Sequence, residues 1–278
     1  MGRFGGHECG YGSDADVMFV HDPLPGAGEQ EATEAAHAVA EELRALLGQP
    51  GPDPPLMIDP GLRPEGRQGP LVRTLASYRA YYQRWSVPWE SQALLRAAPV
   101  AGDTELGARF TALADEFRYP DGGLPDASVR EIRRIKARME SERMPRGVDP
   151  ALHLKLGPGG LSDVEWVVQL LQLRNAHAVP ALRTTRTVAG LDAAAAAGLV
   201  EQEDAVALAR AWRLATRIRD AVVLVRGRPA DVLPARASEL AAVASVLGYP
   251  AGAAQDLEQD YRRGARRARA VMERLFYG

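Results

Sequence analysis

Cysteine is almost missing from this chain: Cys9 is the single one in 278 residues. No internal disulfide can form, and a reducing compartment is expected. No apolar run approaches the roughly 18 residues of a membrane span. The N-terminus is glycine-rich and lacks the apolar core of a secretory leader, so the sequence reads as cytoplasmic, with no membrane partner. A large excess of either charge is missing too. The 34 basic and 36 acidic residues leave −2, a balance that draws the protein to neither nucleic acid nor anionic lipid. The five histidines (His7, His21, His37, His153, His177) show no pairing at metal-ligand spacing and read as solvated or core side chains. What remains is ordinary for a globular protein, with 46% hydrophobic and 25% charged residues. The length suits one large domain or two ordinary ones.

Chemistry concentrates at the N-terminal end. Residues 5–20 read GGHECGYGSDADVMFV. Asp14 and Asp16 run into the apolar stretch Val17–Val20. On a strand, side chains two apart share a face. Two carboxylates side by side repel unless a cation sits between them, and oxygen donors of this kind suit Mg²⁺ with substrate phosphates. Gly5, Gly6, Gly10 and Gly12 precede them, with Ser13 adjacent. A glycine-rich turn lets backbone N–H groups approach phosphate oxygens. Asp-x-Asp alone is a weak signal, and such turns are common. Downstream, LMIDPGLR allows a short strand through Leu56–Ile58 that carries Asp59. That residue either completes an acidic triad or simply opens the Pro60-Gly61 turn. Arg63 and Arg67 beside it suit a phosphate clamp, although surface arginines are the default. Cys9 reads as a small apolar filler, since nothing marks it as a nucleophile.

Taken in order, the chain alternates short strands and helices and then becomes helical. Only Met1 and Phe4 are apolar ahead of the glycine turn, so part of a first core strand is expected to be absent, the chain starting inside a larger protein. Periodicity predicts helices over Glu29–Leu47, Thr74–Trp85, Pro88–Arg96 and Asp103–Arg118. Gln49–Pro55 is a proline-rich connection, and Ala97–Ala101 suits a short edge strand. The Tyr78, Tyr81, Tyr82 and Trp85 face reads as core. YPDGGLP at Tyr119–Pro125 marks a boundary, predicting one domain over 1–120 and an all-helical one over 121–278. In the second, Leu152–Gly160 suggests a short strand and glycine turn. Leu161–Ala176 is a helix with a capping box from Ser162 and Glu165. Further helices follow at Asp126–Met144, Thr187–Ala197, Glu201–Arg226, Ala237–Leu247 and Gly252–Phe276. Arg262, Arg263, Arg266, Arg267 and Arg269 form either a solvated face or a docking patch for an acidic partner.

Together, GRFGG, GYGSDADVMFVH, LRPEGRQGPLV, WSVPWESQALLRA and KLGPGGLSDVEWVVQLLQLR resemble the glutamine-synthetase adenylyltransferase family of bacterial nitrogen control, along the whole chain. The resemblance implies an α+β fold. A nucleotidyltransferase domain like that of DNA polymerase β, with a small mixed sheet, would be followed by a helical bundle. It also implies that Asp14, Asp16 and Asp59 are catalytic and metal-binding. Gly5, Gly6, Ser13, Arg63 and Lys155 would bind the nucleotide, the role of Lys155 and of Gly159, Gly160 and Asp163 being either ATP contact or domain docking. His7 and Cys9 depart from the family, which has Arg and Leu there. The implied reaction transfers AMP from ATP to a tyrosine of glutamine synthetase, with two Mg²⁺ ions roughly 3.5–4 Å apart and Asp59 helping to deprotonate the phenol. The GYGSDAD and WESQALLRA segments resemble the adenylylating half. Glutamine and the PII signalling protein are the implied effectors. Three rivals stand beside this: the same site run as a phosphate-dependent deadenylylase, uridylylation of PII, and an inactive fragment that only binds partners.

Overall fold

The computed structural model describes residues 1–51 and 54–278; within the proline-rich connection 49–55, residues 52 and 53 lie outside the described residues. The chain divides into two units, residues 1–9 with 13–122, and residues 10–12 with 123–278. Among the described residues no helix is long and apolar enough to cross a membrane.

The first unit opens with a four-residue helix, α1 (Gly2–Gly5), where the sequence suggests a phosphate turn. The reason is close packing. A Cβ on Gly5 would stand 1.9 Å from the carbonyl oxygen of Arg96, so only glycine lets this backbone approach. The carboxyl-bearing segment follows as β1 (Ala15–Asp16) and β2 (Phe19–His21), where a single strand over 17–20 is expected. The break at Val17 and Met18 lets each piece take its own partner. β1 pairs in parallel with β3 (Ile58–Asp59), and β2 pairs in parallel with β4 (Val72–Thr74). Among the described residues the sheet structure is therefore two parallel strand pairs, not one mixed sheet. Parallel pairing requires a crossover, and α2 (Glu29–Leu47) supplies it.

The buried side of α2 runs through Ala36 and Ala40, packed on Phe19, Leu71 and Val72. Its bulkier apolar stripe, Val39, Leu43 and Leu46, is exposed, so the larger aliphatic residues do not mark the face that this unit buries. The strand β4 runs straight into α3 (Leu75–Trp85), with Thr74 capping it by accepting the Ser77 N–H at 3.1 Å. Tyr78 and Tyr82 form the core together with Leu94, Leu113 and Ala114, whereas Trp85 of the same aromatic run is exposed. The Tyr78 ring meets the Phe110 edge at 5.3 Å between centroids, and its hydroxyl donates to the Phe19 carbonyl at 3.2 Å. Burial raises the pKa of both core tyrosines far above the ordinary value of 10, so both stay neutral.

Two further helices complete this unit, α4 (Pro88–Leu94) and α5 (Thr104–Arg118). Glu90 fixes the start of α4 by accepting the Val87 N–H at 3.0 Å and the Tyr81 hydroxyl at 3.0 Å. The buried Arg118 closes its end by donating to the carbonyls of Leu94 (2.8 Å), which also accepts the Ala97 N–H, and Ala97 (2.9 Å). Residues 97–101 are not a strand; Pro99 packs beside Gly107 of α5.

The second unit is helical: α6 (Asp126–Glu142), α7 (Leu161–Asn175), α8 (Thr187–Ala196), α9 (Gln202–Arg226), α10 (Ala237–Val246) and α11 (Ala254–Met272). A π-helical turn, Glu273–Tyr277, extends α11. Residues 10–12 cluster here because the Tyr11 N–H donates to Asp220 on α9 at 3.0 Å. The stretch 152–160 is a coiled turn, not a strand. A 3₁₀ turn at Pro150–Leu152 leads to one bridge between His153 and Val232. His153 is buried, and its Nδ1 accepts the N–H groups of Leu156 (3.1 Å) and Lys155 (3.3 Å). Desolvation lowers its pKa.

Helix α7 has no capping box. Gly160 is its N-cap without a side-chain bond, and Glu165 instead accepts from the Trp212 indole at 3.2 Å. The work at this end falls to Asp163. One of its oxygens accepts the Gly159 N–H at 2.7 Å and Arg269 at 3.1 Å, and the other meets Lys136 at 2.6 Å. Four pieces of chain thus converge on one buried carboxylate. The arginine cluster of α11 is divided by the same packing. Arg269 pairs with Asp163, Glu140 and Glu273, and Arg262 with Glu258 and Asp149. Arg263, Arg266 and Arg267 point to solvent.

Candidate active site

β1 and β3 place Asp16 directly opposite Asp59 in a parallel register. Adjacent strands run about 4.8 Å apart, so two acidic positions 43 residues apart in sequence become neighbours. The Val17 N–H bonds to the Asp59 carbonyl at 2.9 Å and locks that register. Asp59 also opens a turn, as the local sequence suggests, because its Oδ1 accepts the Gly61 N–H at 2.7 Å. A Cβ on Gly61 would come within 2.8 Å of that oxygen. The turn therefore holds the carboxylate and leaves Oδ2 for other partners.

Asp14 stands just before β1, exposed, and lines a cleft of about 620 Å³ together with Asp59. The loop 60–71 forms one wall, and His37, Glu41 and Arg44 of α2 form the other. Spaced four and three apart, these three residues share a helix face, and the sequence carries no local signal that this face looks onto the aspartates. Among the described residues, no three His, Cys, Asp or Glu side chains stand close enough to cage a metal by themselves.

The other expected site residues are spread out. Arg63 lines the cleft but is buried, and its donors go to main-chain carbonyls. Nη1 donates to Pro60 at 2.8 Å, Nε to Gly69 and Pro70 at 3.1 Å each, and Nη2 to Gly69 at 3.0 Å. Its guanidinium is the staple of the loop 60–70. Arg67, in the 3₁₀ turn Gly66–Gln68, is exposed on the same cleft. Gly5 and Gly6 belong to α1 and its cap, Ser13 is half-buried ahead of β1, and Lys155 is exposed in the second unit. Cys9 is at the surface, not a core filler. Partial desolvation raises the pKa of its thiol, which argues against a nucleophilic thiolate.

A carboxylate on β3 and another just ahead of its neighbour β1, lining one arginine-bearing cleft beside α2, are the equipment of a nucleotidyltransferase. Comparison with known proteins agrees. Residues 1–113 match the family described as glutamate-ammonia ligase adenylyltransferase. Residues 130–276 match the GlnD PII-uridylyltransferase family. The chain is 64% identical over 277 residues to the bifunctional glutamine synthetase adenylyltransferase/adenylyl-removing enzyme of Streptomyces coelicolor, covering 100% of this chain and 28% of that protein. The proteins of the same name from Streptomyces avermitilis (64% over 278 residues, 100% and 28%) and Mycobacterium avium (58% over 276 residues, 99% and 28%) are similar. The chain belongs to the glutamine-synthetase adenylyltransferase family, and it spans a little over a quarter of the length of these relatives.

Proposed function

We propose that this chain transfers AMP from ATP to a tyrosine hydroxyl of glutamine synthetase, acting as the adenylylating half of a bifunctional regulator of nitrogen metabolism. The reading rests on the Asp16–Asp59 register at the edge of the Asp14 cleft, inside the unit that matches the adenylyltransferase family. Glutamine synthetase is then the protein substrate, with PII and glutamine as effectors and the cytoplasm as the compartment. No nucleic acid is needed.

Mg²⁺ fits the donor set. The carboxylates offer hard oxygens only, and Mg²⁺ is usually held by one or two carboxylates plus substrate phosphates, so a complete protein cage is not required. Asp14 and Asp59, which line the cleft, would hold it with the substrate phosphates, beside Asp16 in register on β1. When bound, it supplies charge neutralisation at the transferring phosphoryl group and its leaving pyrophosphate. The remaining chemistry belongs to the chain. A phenol of pKa about 10 must lose its proton as it attacks, and Asp59, held through Oδ1 by Gly61, presents Oδ2 to receive it. Arg63 keeps the wall of the cleft in shape through its carbonyl contacts. Gly5, Gly6 and Ser13 lie on the same unit and belong to the nucleotide side of the proposal; Lys155 lies on the helical unit.

The match of residues 130–276 to the PII-uridylyltransferase family supports one second reading, uridylylation of PII. The three aspartates, however, lie in residues 1–113, on the adenylyltransferase side. Intact-mass measurement of glutamine synthetase incubated with the chain, Mg²⁺ and ATP tests the proposal. One AMP is gained per subunit with ATP and none with UTP. A uridylyl adduct on PII favours the second reading, and release of AMP from modified glutamine synthetase by inorganic phosphate points to the removing direction.

A further inference from the structure

Arg44 comes from α2, a helix that the motifs do not touch, yet it lines the same cleft as Asp14 and Asp59. Its Nη1 bonds both oxygens of Glu41, at 2.9 and 3.1 Å. Its Nε is buried and has no hydrogen-bond partner. Buried donors without acceptors are costly; the Nε of Arg73 and Arg133 share this state, and of these three arginines only Arg44 lines the cleft. Arg67 lines the same cleft and forms no ion pair among the described residues; the nearest acid in sequence, Glu65, is bound to Arg73. The loop that carries Arg67 is not slack, since Arg63 ties its carbonyls together. Two guanidinium-bearing side chains, one from α2 and one from the loop 60–71, thus line a cleft whose other charged residues include Asp14, Glu41 and Asp59. Guanidinium is the side chain best shaped for phosphate oxygens, through its planar fork of donors.

We propose that Arg44 and Arg67 form a polyphosphate-binding pair that grips the triphosphate of the incoming nucleotide and the pyrophosphate it releases. The proposal rests on the reading of this cleft as the nucleotide site and adds residues to it. The pair reads phosphate and not base, so it binds ATP and free pyrophosphate by the same contacts and leaves adenosine untouched. On binding, Arg44 keeps or exchanges its Glu41 contact, and its orphaned Nε gains an acceptor.

The test is calorimetric titration of the full chain, in Mg²⁺, with pyrophosphate, ATP and adenosine. Arg44→Gln and Arg67→Gln are each expected to weaken pyrophosphate and ATP about tenfold, and the double variant about a hundredfold if the two contacts add. Any adenosine binding is unchanged. Arg263→Gln, on the exposed face of α11, behaves as wild type. Arg44→Lys and Arg67→Lys regain part of the lost affinity, which a misfolded variant could not do. Pyrophosphate affinity within twofold of wild type in both glutamine variants overturns the pair. If those variants also keep AMP transfer while Asp14→Asn loses it, the pair is wrong and the nucleotidyl-transfer reading stands. If the wild-type chain binds no pyrophosphate and transfers no AMP, both fall.

Discussion

The Lys136 ammonium lies 2.6 Å from the Asp163 carboxylate, with the lysine side chain fully buried and the aspartate side chain 1% exposed. Burying two charges costs several kcal/mol each, so such a pair survives only when its remaining bonds are satisfied. Here the Gly159 N–H, Arg269 and Glu140 satisfy them. Removing Lys136 leaves Asp163 with Arg269 and the Gly159 N–H alone. Lys136→Met is expected to destabilise the helical unit, by less than the roughly 3–5 kcal/mol of a fully uncompensated buried charge. Combining it with Asp163→Leu should recover part of that loss. Urea unfolding followed by helical circular dichroism reads both; equal loss in the single and double variants would show that the pair is not the source.

Asp14→Asn and Asp59→Asn are expected to lower AMP transfer about a thousandfold or more while leaving the fold intact. The reason is that charge stabilisation at a transferring phosphoryl group is worth several kcal/mol, and each 1.36 kcal/mol is tenfold in rate. Single-turnover transfer to glutamine synthetase, with circular dichroism as the folding control, measures it. Full activity in Asp14→Asn would remove this residue from the metal site.

Gly5→Ala separates packing from phosphate binding. The added methyl meets the Arg96 carbonyl at 1.9 Å, and overpacking of this kind costs about 1–3 kcal/mol. A lowered melting temperature in the absence of nucleotide is the expected result. Unchanged stability with weakened ATP binding would instead assign Gly5 to the nucleotide.

Arg63→Lys is not a conservative change. One ammonium cannot span the carbonyls of Pro60, Gly69 and Pro70 that the guanidinium reaches. Carbonyls left buried and unpaired cost about 1–3 kcal/mol apiece. Faster amide exchange confined to residues 60–70 is expected, with the helical unit unaffected.

His153 sets a pH dependence. Its pKa in the folded protein lies below the ordinary 6.5, so below about pH 6.5 the unfolded chain binds more protons than the native one. Stability then rises with pH through that window and is lost as the pH falls through it. Protonation also takes the Nδ1 lone pair away from the Leu156 and Lys155 N–H groups. The urea midpoint should drop between pH 7.5 and 5.5 in wild type, and by less in His153→Gln.

The sequence by itself determined the helices. Their apolar spacing and their proline and glycine breaks are local properties, and α5, α7 and α9 begin and end within a residue or two of where the periodicity places them. It also determined the acidic motif, because Asp14 and Asp16 are neighbours in the chain. Only the tertiary structure decided what the other charged residues do. Arg63 and Arg67 look alike in sequence, yet one is the buried staple of its loop and the other is exposed on the cleft. Asp163 sits in a glycine-rich motif that suggests a ligand, and packing turned it into the hub of a buried ion network. Strand pairing, likewise, was settled at a distance. A two-residue strand carries too little pattern to choose a partner, so the register that brings Asp16 to Asp59 came from the α2 crossover and the hydrogen bonds it allows.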